Sequence, residues 1–273
     1  MGKSGPSREV ILEVSGATKC FGKVWAVDRV DMDIFRGEVL CIVGSNGAGK
    51  TTLLKLITGG HPIDQGNIIF MGADISRLSL VKRARLGIVY SFQIPALFEW
   101  LSAWDSVSLA LLTRQQKALI FYSRLVKFSK IREEAQHILG MFNVPKDSLA
   151  EALPHGQRKL LDVAMAFAFR PKLLLLDEPT SGVSSEEKGR VMDTIMPSIL
   201  GSGITTVIVE HDMDIVARYA HRVIVMDQGR IFAQGVPDEV MADEKVQEVL
   251  LGHVSSNSNQ VKLPDWHSDS RDP

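Results

Sequence analysis

Residues 44–51 carry the most specific chemistry in the sequence. They match the pattern G-x-x-x-x-G-K-[ST] at every position, as Gly-Ser-Asn-Gly-Ala-Gly-Lys-Thr. Glycines in such a loop let successive backbone N–H groups converge on phosphate oxygens, and a helix N-terminus behind them adds a favourable dipole. Lys50 supplies a cation for the outer phosphates, and the Thr51 hydroxyl suits Mg²⁺. The pattern therefore predicts a site for a nucleoside triphosphate.

The segments on either side of this loop support that prediction. A strand-like apolar run at 39–43 precedes the loop, and a helix-like run at 52–58 follows it. The alternative is a glycine-rich turn that matches by chance, and the flanking strand and helix disfavour it. The residues predicted to bind the nucleotide here are Gly44, Ser45, Asn46, Gly47, Ala48, Gly49, Lys50, Thr51 and Thr52.

Two adjacent carboxylates end an apolar strand-like run at 173–176. They are Asp177 and Glu178, and Pro179 stops the strand. Taken alone, the segment is equally compatible with a core strand that runs into an acidic turn. Beside a phosphate loop, the alternation of side chains along a strand lets the two carboxylates perform different tasks. Asp177 is predicted to hold Mg²⁺, and Glu178 to polarise the water that attacks the γ-phosphate.

Two further polar residues follow apolar strands in the same manner. His211 comes after the run 206–209, and Gln93 comes after the run 87–92. The carboxyl ends of parallel strands form the ligand-binding edge of an open α/β sheet. His211 is therefore predicted to contact the γ-phosphate and the water, although a histidine at a strand end is more often only a hydrogen-bonding residue. The Gln93 amide can both donate and accept, as a water-positioning or Mg²⁺-linked group must.

A glycine also lies at the start of a helix-like run that ends near Phe169. The segment Leu-Pro-His-Gly-Gln at 153–157 opens that run. A glycine beside a helix N-terminus lets a phosphate approach closely, and the helix dipole attracts it. On its own the segment would indicate an ordinary junction between a loop and a helix.

Composition narrows the class of protein. The chain has 273 residues, and 31 Lys and Arg against 32 Asp and Glu leave a net charge of −1. This balance argues against a nucleic-acid binder, for which a basic excess is expected. The two cysteines, Cys20 and Cys41, show no metal-like pairing and indicate a reducing compartment. We find no apolar run long enough to span a bilayer and no signal-peptide core, which predicts a soluble, cytosolic protein.

The order of strands and helices predicts one α/β domain. Strand-like and helix-like segments alternate around the phosphate loop, which indicates a mainly parallel sheet. A helical pattern with interleaved charges runs from about Val107 to Phe142 and predicts an inserted helical subdomain at about 94–170. The residues Gln-Gly-Arg at 228–230 predict the turn of a hairpin that leads into 231–233. Residues 1–9 are predicted to form a flexible arm. Residues 253–273 are rich in Ser, Asn and Asp and are predicted to be disordered.

Taken together, the order of these motifs resembles the ATPase subunits of ATP-binding-cassette (ABC) transporters. The resemblance covers residues 10–252 and rests on the phosphate loop, Gln93, the signature-like segment 153–157, the Asp177–Glu178 pair and His211. It implies a P-loop NTPase core with an N-terminal antiparallel β subdomain. It also implies a head-to-tail dimer that binds two ATP molecules with Mg²⁺, each between the phosphate loop of one subunit and the signature motif of the other.

The resemblance assigns further residues to the nucleotide. His155, Gly156 and Gln157 match the signature motif, and Phe21 matches the aromatic residue that stacks on adenine. The alternative for Phe21 is core or turn packing. The implied partners are integral-membrane permease subunits, a second copy or a paralogous ATPase, and an external substrate-binding protein. The implied location is the cytoplasmic face of the plasma membrane.

The sequence departs from the usual family pattern at three positions. Pro154 replaces the signature serine, so recognition in trans must rest on backbone amides near His155 and Gly156 and on the helix dipole. Ser184 stands where the turn after the carboxylates usually ends in Asp, which predicts a weaker contact across the dimer. The adenine-stacking position carries Phe21 in place of the commoner Tyr.

Finer features resemble the uptake branch that serves branched-chain amino acids, urea and related small amides. They include the Pro-His-Gly-Gln signature, the non-Asp turn at Ser184, the segment 210–213 and the ending at 243–252. The alternatives are a non-transport ABC ATPase and an ATP-binding regulatory module with a dead site. The first usually carries coiled-coil insertions or two cassettes, and the second is disfavoured because the catalytic residues are present.

Large apolar residues are concentrated just after Gln93. Leu97, Phe98, Trp100, Leu101 and Trp104 lie within a Pro-containing segment that leads into the helical subdomain. Leu101 and Trp104 are compatible with the core of that subdomain. Exposed aromatic patches mark contact sites, and in the resembling family this region receives a short permease helix. Phe98 and Trp100 are therefore predicted to line the groove that receives it.

Overall fold

The computed structural model describes residues 9–114 and 129–251 of the chain. The predicted arm, except Glu9, and the predicted tail at 253–273 lie outside the described residues. The strands are β1 (Val10–Phe21), β2 (Val24–Phe35), β3 (Val39–Gly44), β4 (Gln65–Phe70), β5 (Ala73–Asp74), β6 (Ile88–Ser91), β7 (Leu173–Asp177), β8 (Thr205–Val209), β9 (Arg222–Asp227) and β10 (Arg230–Gly235).

Helices connect most of these strands. Those among the described residues are α1 (Lys50–Thr58), α2 (Leu80–Leu86), α3 (Ala103–Arg114), α4 (Ser129–Met141), α5 (His155–Ala168), α6 (Ser185–Ser202), α7 (Met213–Tyr219), α8 (Pro237–Ala242) and α9 (Glu244–Leu251), with a short 3₁₀ helix at Ala150–Ala152. None of the helices in the described part of the chain is both long and apolar enough to cross a membrane.

The larger sheet confirms the predicted mainly parallel core. Its strand order is β10-β9-β3-β8-β7-β6, and only β10 runs antiparallel to its neighbour. The residues of β3, β7 and β8 are all buried, because both faces of this sheet are covered. The carboxyl ends of β6, β7, β8 and β3 therefore lie side by side at one edge of the sheet.

The smaller sheet confirms the predicted N-terminal antiparallel β structure. Its order is β2-β1-β4-β5, and all of its pairings are antiparallel. β1 and β2 are joined by a tight turn in which Gly22 has φ of +63°. That left-handed conformation favours glycine. Arg36, just after β2, forms an ion pair of 2.7 Å with Glu9.

The parallel sheet separates two hydrophobic cores. On one face, Val39, Cys41 and Val43 pack with residues of the helices α3 to α7. On the other face, Leu40 and Ile42 pack with α1 and the antiparallel sheet. Alternate residues of β3 thus pack into opposite cores, because successive side chains of a strand point to opposite faces. Both cores hold the end of β3, from which the phosphate loop leaves.

Two helices begin earlier than the sequence predicts. The helix predicted from Thr52 begins at Lys50, because the Lys-Thr of the motif forms its first turn. The helical pattern predicted from Val107 begins at Ala103. Ser102 caps that start, since its hydroxyl accepts from the Asp105 N–H at 3.0 Å and donates to the Asp105 carboxylate at 2.6 Å.

Candidate active site

The phosphate loop follows β3 and leads directly into α1. Gly44 has φ of +149° and Gly49 has φ of +101°. A Cβ at Gly44 would lie 2.2 Å from the Met226 carbonyl oxygen, and one at Gly49 would lie 2.1 Å from that of Ala26. Only glycine fits at these two positions, because backbone approaches them from β9 and from β2.

Lys50 reaches back over the loop. Its ammonium group donates to the Gly44 carbonyl at 2.8 Å and to the Ser45 carbonyl at 2.9 Å. Burial lowers the pKa of Lys50, and the charges of Glu178 and Asp177 oppose that shift. A cation held in this way fits a phosphate group, because it lies at a helix N-terminus among backbone amides.

A small cavity lies in front of this lysine. Its volume is about 180 Å³, and its lining includes Gly47, Gly49, Thr51 and Glu178 together with Ala26, Asn46 and Thr52. Residues of the phosphate loop therefore share a cavity with one of the two predicted carboxylates. This is the placement that the sequence prediction requires.

Asp177 is buried at the end of β7, and both of its carboxylate oxygens are engaged. The Thr51 hydroxyl donates to Oδ1 at 3.2 Å, and the Tyr90 hydroxyl donates to Oδ2 at 2.6 Å. Burial and the bond to Asp177 raise the pKa of Tyr90 far above its ordinary value. The Thr51 hydroxyl and the Asp177 carboxylate are oxygen ligands of the kind that Mg²⁺ prefers. This pair therefore fits the predicted Mg²⁺ site.

Glu178 brings the other predicted catalytic residues together. The Gln93 amide donates to Glu178 Oε2 at 2.7 Å, and His211 Nε2 lies 2.9 Å from Glu178 Oε1. Glu178 has φ of +49°, a conformation that is strained for a residue with a side chain. The three side chains come from the ends of β6, β7 and β8, which are neighbours in the sheet.

The signature-like segment leads into α5, and His155, Gly156 and Gln157 lie in the first turn of that helix. The ring of His155 packs on Gly182, since a Cβ added there would lie 2.9 Å from His155 Cε1. Among the described residues, no hydrogen bond joins His155, Gly156 or Gln157 to the phosphate loop. The segment thus contacts the turn after the carboxylates within its own chain, and its nucleotide role in trans stays a prediction.

Phe21 lies at the end of β1 and is 46% exposed, which disfavours the alternative of core packing. Its ring meets His61 edge-on, with ring centroids 5.4 Å apart, and the Lys19 ammonium lies 5.4 Å from the Phe21 centroid. An aromatic ring that is about half exposed fits a stacking partner. Its contact with adenine stays a prediction.

Three polar residues at this site escaped the sequence prediction. Tyr90 binds Asp177, and the buried residues Lys159 and Asp162 on α5 bind the residues around Gln93. Burial lowers the pKa of Lys159, and it raises that of Asp162 to about 6. A signal was present in the sequence, since Lys159 and Asp162 interrupt an otherwise apolar helix face three positions apart.

Comparison with known proteins confirms the resemblance drawn from the motif order. A family model described as "ABC transporter" matches residues 27–181, which is more than half of the chain. The chain belongs to the ABC transporter family. It is an ATP-binding cassette, and its enzymatic activity is ATP hydrolysis.

Individual relatives align along most of the chain. A probable branched-chain amino acid transport ATP-binding protein, LivG of Archaeoglobus fulgidus, is 33% identical and covers 89% of this chain and 95% of its own length. The lipopolysaccharide export system ATP-binding protein LptB of Escherichia coli K12 is also 33% identical, over 83% and 90%. A solved ADP conformation of an ABC transporter cassette matches with a TM-score of 0.78 at 30% identity, over 89% and 99%.

Proposed function

We propose that this chain is the ATP-hydrolysing subunit of an ABC importer, bound to a permease at the cytoplasmic face of the plasma membrane. The observation that carries the catalytic part is the convergence of Gln93 and His211 on Glu178, beside the phosphate loop. The proposed cargo is a branched-chain amino acid, urea or a related small amide, delivered by an external binding protein.

Each residue of the site has a distinct role in this proposal. The backbone amides of residues 44–52 and the Lys50 ammonium bind the phosphates of ATP. Glu178 takes the proton of the attacking water, while His211 and Gln93 hold the Glu178 carboxylate and contact the water and the γ-phosphate. Thr51, Asp177 and Gln93 would hold Mg²⁺, which would offset the negative charge of the phosphates.

A second subunit completes the site in the proposed assembly. The N-terminus of α5 would bind the γ-phosphate on the partner's phosphate loop through backbone amides near His155 and Gly156. Pro154 has no hydroxyl that could bind the γ-phosphate, and Ser184 is a weaker partner across the dimer than Asp would be. We therefore propose a weak dimer, formed either with a second copy or with a paralogous ATPase.

The permease contact is proposed on an exposed apolar patch after Gln93. Ile94 is 83% exposed, Trp100 is 73% exposed and Phe98 is 46% exposed. The rings of Phe98 and Trp100 lie near each other, with centroids 6.1 Å apart. Leu97 and Trp104 instead pack against the helical core. Leu101, which the sequence assigned with Trp104 to the core, is half-buried. The exposed patch lies directly after a residue proposed for the catalytic site.

A double substitution tests this docking surface. Phe98→Ala with Trp100→Ala should leave the isolated subunit folded and its ATP hydrolysis close to wild type, because neither side chain contacts the catalytic residues. It should abolish co-purification with the permease from membrane extract, and transport with it. Phe232→Ala is the matched control, since Phe232 is a similarly exposed ring on β10. Normal transport by the double variant would refute the proposed contact.

One observation favours export as the alternative direction of transport. LptB is named for an export system and is as similar in identity as LivG. The Pro-His-Gly-Gln signature and the ending at 243–252 favour the uptake branch. Identification of the membrane proteins that co-purify with the chain decides between the two. An importer predicts that an external binding protein loaded with cargo stimulates ATP hydrolysis, and an exporter predicts no such response.

A further inference from the structure

Lys159 is a buried cation that binds the two segments carrying the catalytic side chains. It is 2% exposed on the second turn of α5. Its ammonium group donates to the Gln93 carbonyl, to the Glu178 carbonyl at 3.3 Å and to the Ser181 hydroxyl at 3.0 Å. All three N–H donors of the ammonium group are thus used on residues at or beside the site.

Asp162, about one helical turn after Lys159 on α5, also binds the segment that contains Gln93. Its Oδ2 accepts from the Ser91 hydroxyl at 2.5 Å and from the Phe92 N–H at 3.2 Å. The end of β6 is therefore bound to α5 at three consecutive residues, Ser91, Phe92 and Gln93. A displacement of α5 would move all three together.

The first turn of α5 is packed against the other catalytic segment. His155 packs on Gly182, as described above. A Cβ at Gly156 would lie 3.7 Å from a methyl group of Val183, which is an ordinary packing distance. One helix thus contacts the turn that follows Glu178 and also holds the segment that ends in Gln93.

We propose that Lys159 is a positioning residue for ATP hydrolysis. By fixing the Gln93 and Glu178 carbonyls, it sets the 2.7 Å contact between the Gln93 amide and the Glu178 carboxylate. The inference rests on the proposed role of Glu178 as the base. It also gives the α5 N-terminus, proposed above to bind the partner's nucleotide, a direct connection to the carboxylate of its own subunit.

The test is Lys159→Met, which keeps an apolar stem of similar length and removes the donors. We expect kcat to fall by about 10–100-fold, because misplacement of a catalytic group by a fraction of an ångström is costly. KM for ATP should stay within roughly threefold, since Lys50 and the phosphate loop are unchanged. Lys159→Arg, which restores donors, should recover most of the lost kcat. Lys130→Met, at an exposed position on α4, is the control for loss of a positive charge.

A double variant separates positioning from a general effect on the fold. Lys159→Met combined with Gln93→Ala should lose little more kcat than Gln93→Ala alone, because both act on the same contact. If Lys159→Met is not cooperatively folded, Lys159→Gln replaces it under the same criteria. A kcat within about threefold of wild type, or losses that add in the double variant, would overturn the proposal.

Glu178→Gln, measured beside Lys159→Met, distinguishes a failure of the proposed base from a failure of the proposed role of Lys159. If Glu178→Gln loses hydrolysis and Lys159→Met does not, only the role of Lys159 is wrong. If Glu178→Gln retains hydrolysis, the proposed base is wrong, and the role of Lys159 is wrong with it.

Discussion

Asp162 is an ionisable side chain enclosed between α5 and the end of β6. Burial raises its pKa to about 6, although hydrogen bonds from Ser91 and Phe92 and the charge of Lys159 favour ionisation. An ordinary aspartate in the unfolded chain releases its proton near pH 4. The folded chain therefore binds this proton more tightly, and the contribution to stability is fully present below about pH 4 and is lost as the pH rises through about 6.

We expect Asp162→Asn to remove this pH dependence. The asparagine cannot ionise, and its carbonyl oxygen still accepts from Ser91 and Phe92. The free energy of unfolding of the variant should therefore rise relative to wild type by up to about 3 kcal/mol between pH 4 and pH 7. Urea unfolding of both proteins across that range measures the difference. Parallel curves for the two proteins would show that Asp162 does not titrate in this window.

Three of the site residues that the sequence predicted share one property. Lys50, Asp177 and Glu178 belong to contiguous motifs in which backbone geometry places the side chain. Tyr90 and Lys159 escaped because their roles depend on which strand or helix lies opposite them. Tyr90 reaches Asp177 only because β6 pairs with β7, and Lys159 reaches Gln93 only through the packing of α5. The polar interruption of α5 marks Lys159 as unusual, but no local pattern shows which strand or helix lies opposite these side chains.

Between elements, the decisive contact is that of α5 with the turn after Glu178. Gly182 has φ of +77°, and His155 lies where its side chain would be. Glu210, buried at the end of β8, holds the same turn from the other side, since its carboxylate accepts from the Thr180 N–H and hydroxyl at 3.2 and 2.8 Å. The turn is thus held between two elements that each carry a residue proposed to act in hydrolysis.

Gly182→Ala tests the packing of α5 on this turn. The alanine incurs the strain of positive φ and a collision with His155, so we expect a loss of about 2 kcal/mol in the free energy of unfolding. Gly203→Ala is the matched control, because Gly203 has φ of +63° with open space around it, and it should lose about 1 kcal/mol. Equal losses in the two variants would show that His155 does not press on the turn.

The elements themselves were predictable to different degrees. Apolar runs marked β3, β7 and β8, because a parallel strand covered on both faces is apolar throughout. The turn at Gln228 and Gly229 marked the hairpin of β9 and β10. The order in which strands join the sheet was not predictable, since it depends on crossovers of many residues. The start of α3 was missed because Ser102 caps it without an apolar signal.

At the scale of the whole molecule, no hydrogen bond within the described part of the chain joins the phosphate loop to the signature segment. The proposal that they meet across a head-to-tail dimer predicts complementation. Lys50→Ala and Gly156→Asp should each be inactive alone, the second because a carboxylate repels the partner's phosphates. The fold should accept a side chain at Gly156, since an added Cβ would make only ordinary contacts of 3.6 and 3.7 Å.

A mixture of these two variants should recover part of the wild-type hydrolysis. One of the two composite sites then has an intact phosphate loop and an intact signature segment. Activity of the mixture is compared with that of each variant at the same total concentration, and sedimentation follows the dimer. A mixture no more active than its components, under conditions where dimer forms, would contradict the trans arrangement.

The central claim is that Glu178, held by Gln93 and His211, polarises the attacking water. Glu178→Gln keeps the shape of the side chain and removes its charge. We expect ATP affinity to stay within roughly threefold of wild type and steady-state hydrolysis to fall by about 10²–10⁴-fold. Glu239→Gln, at an exposed position on α8, is the control for loss of a negative charge.

ATP affinity is measured by nucleotide titration, and ATP turnover is measured on the same preparations. Retained binding with lost turnover is the result that the assignment of Glu178 predicts. Turnover within about threefold of wild type would contradict it, because water activation would then not depend on this carboxylate.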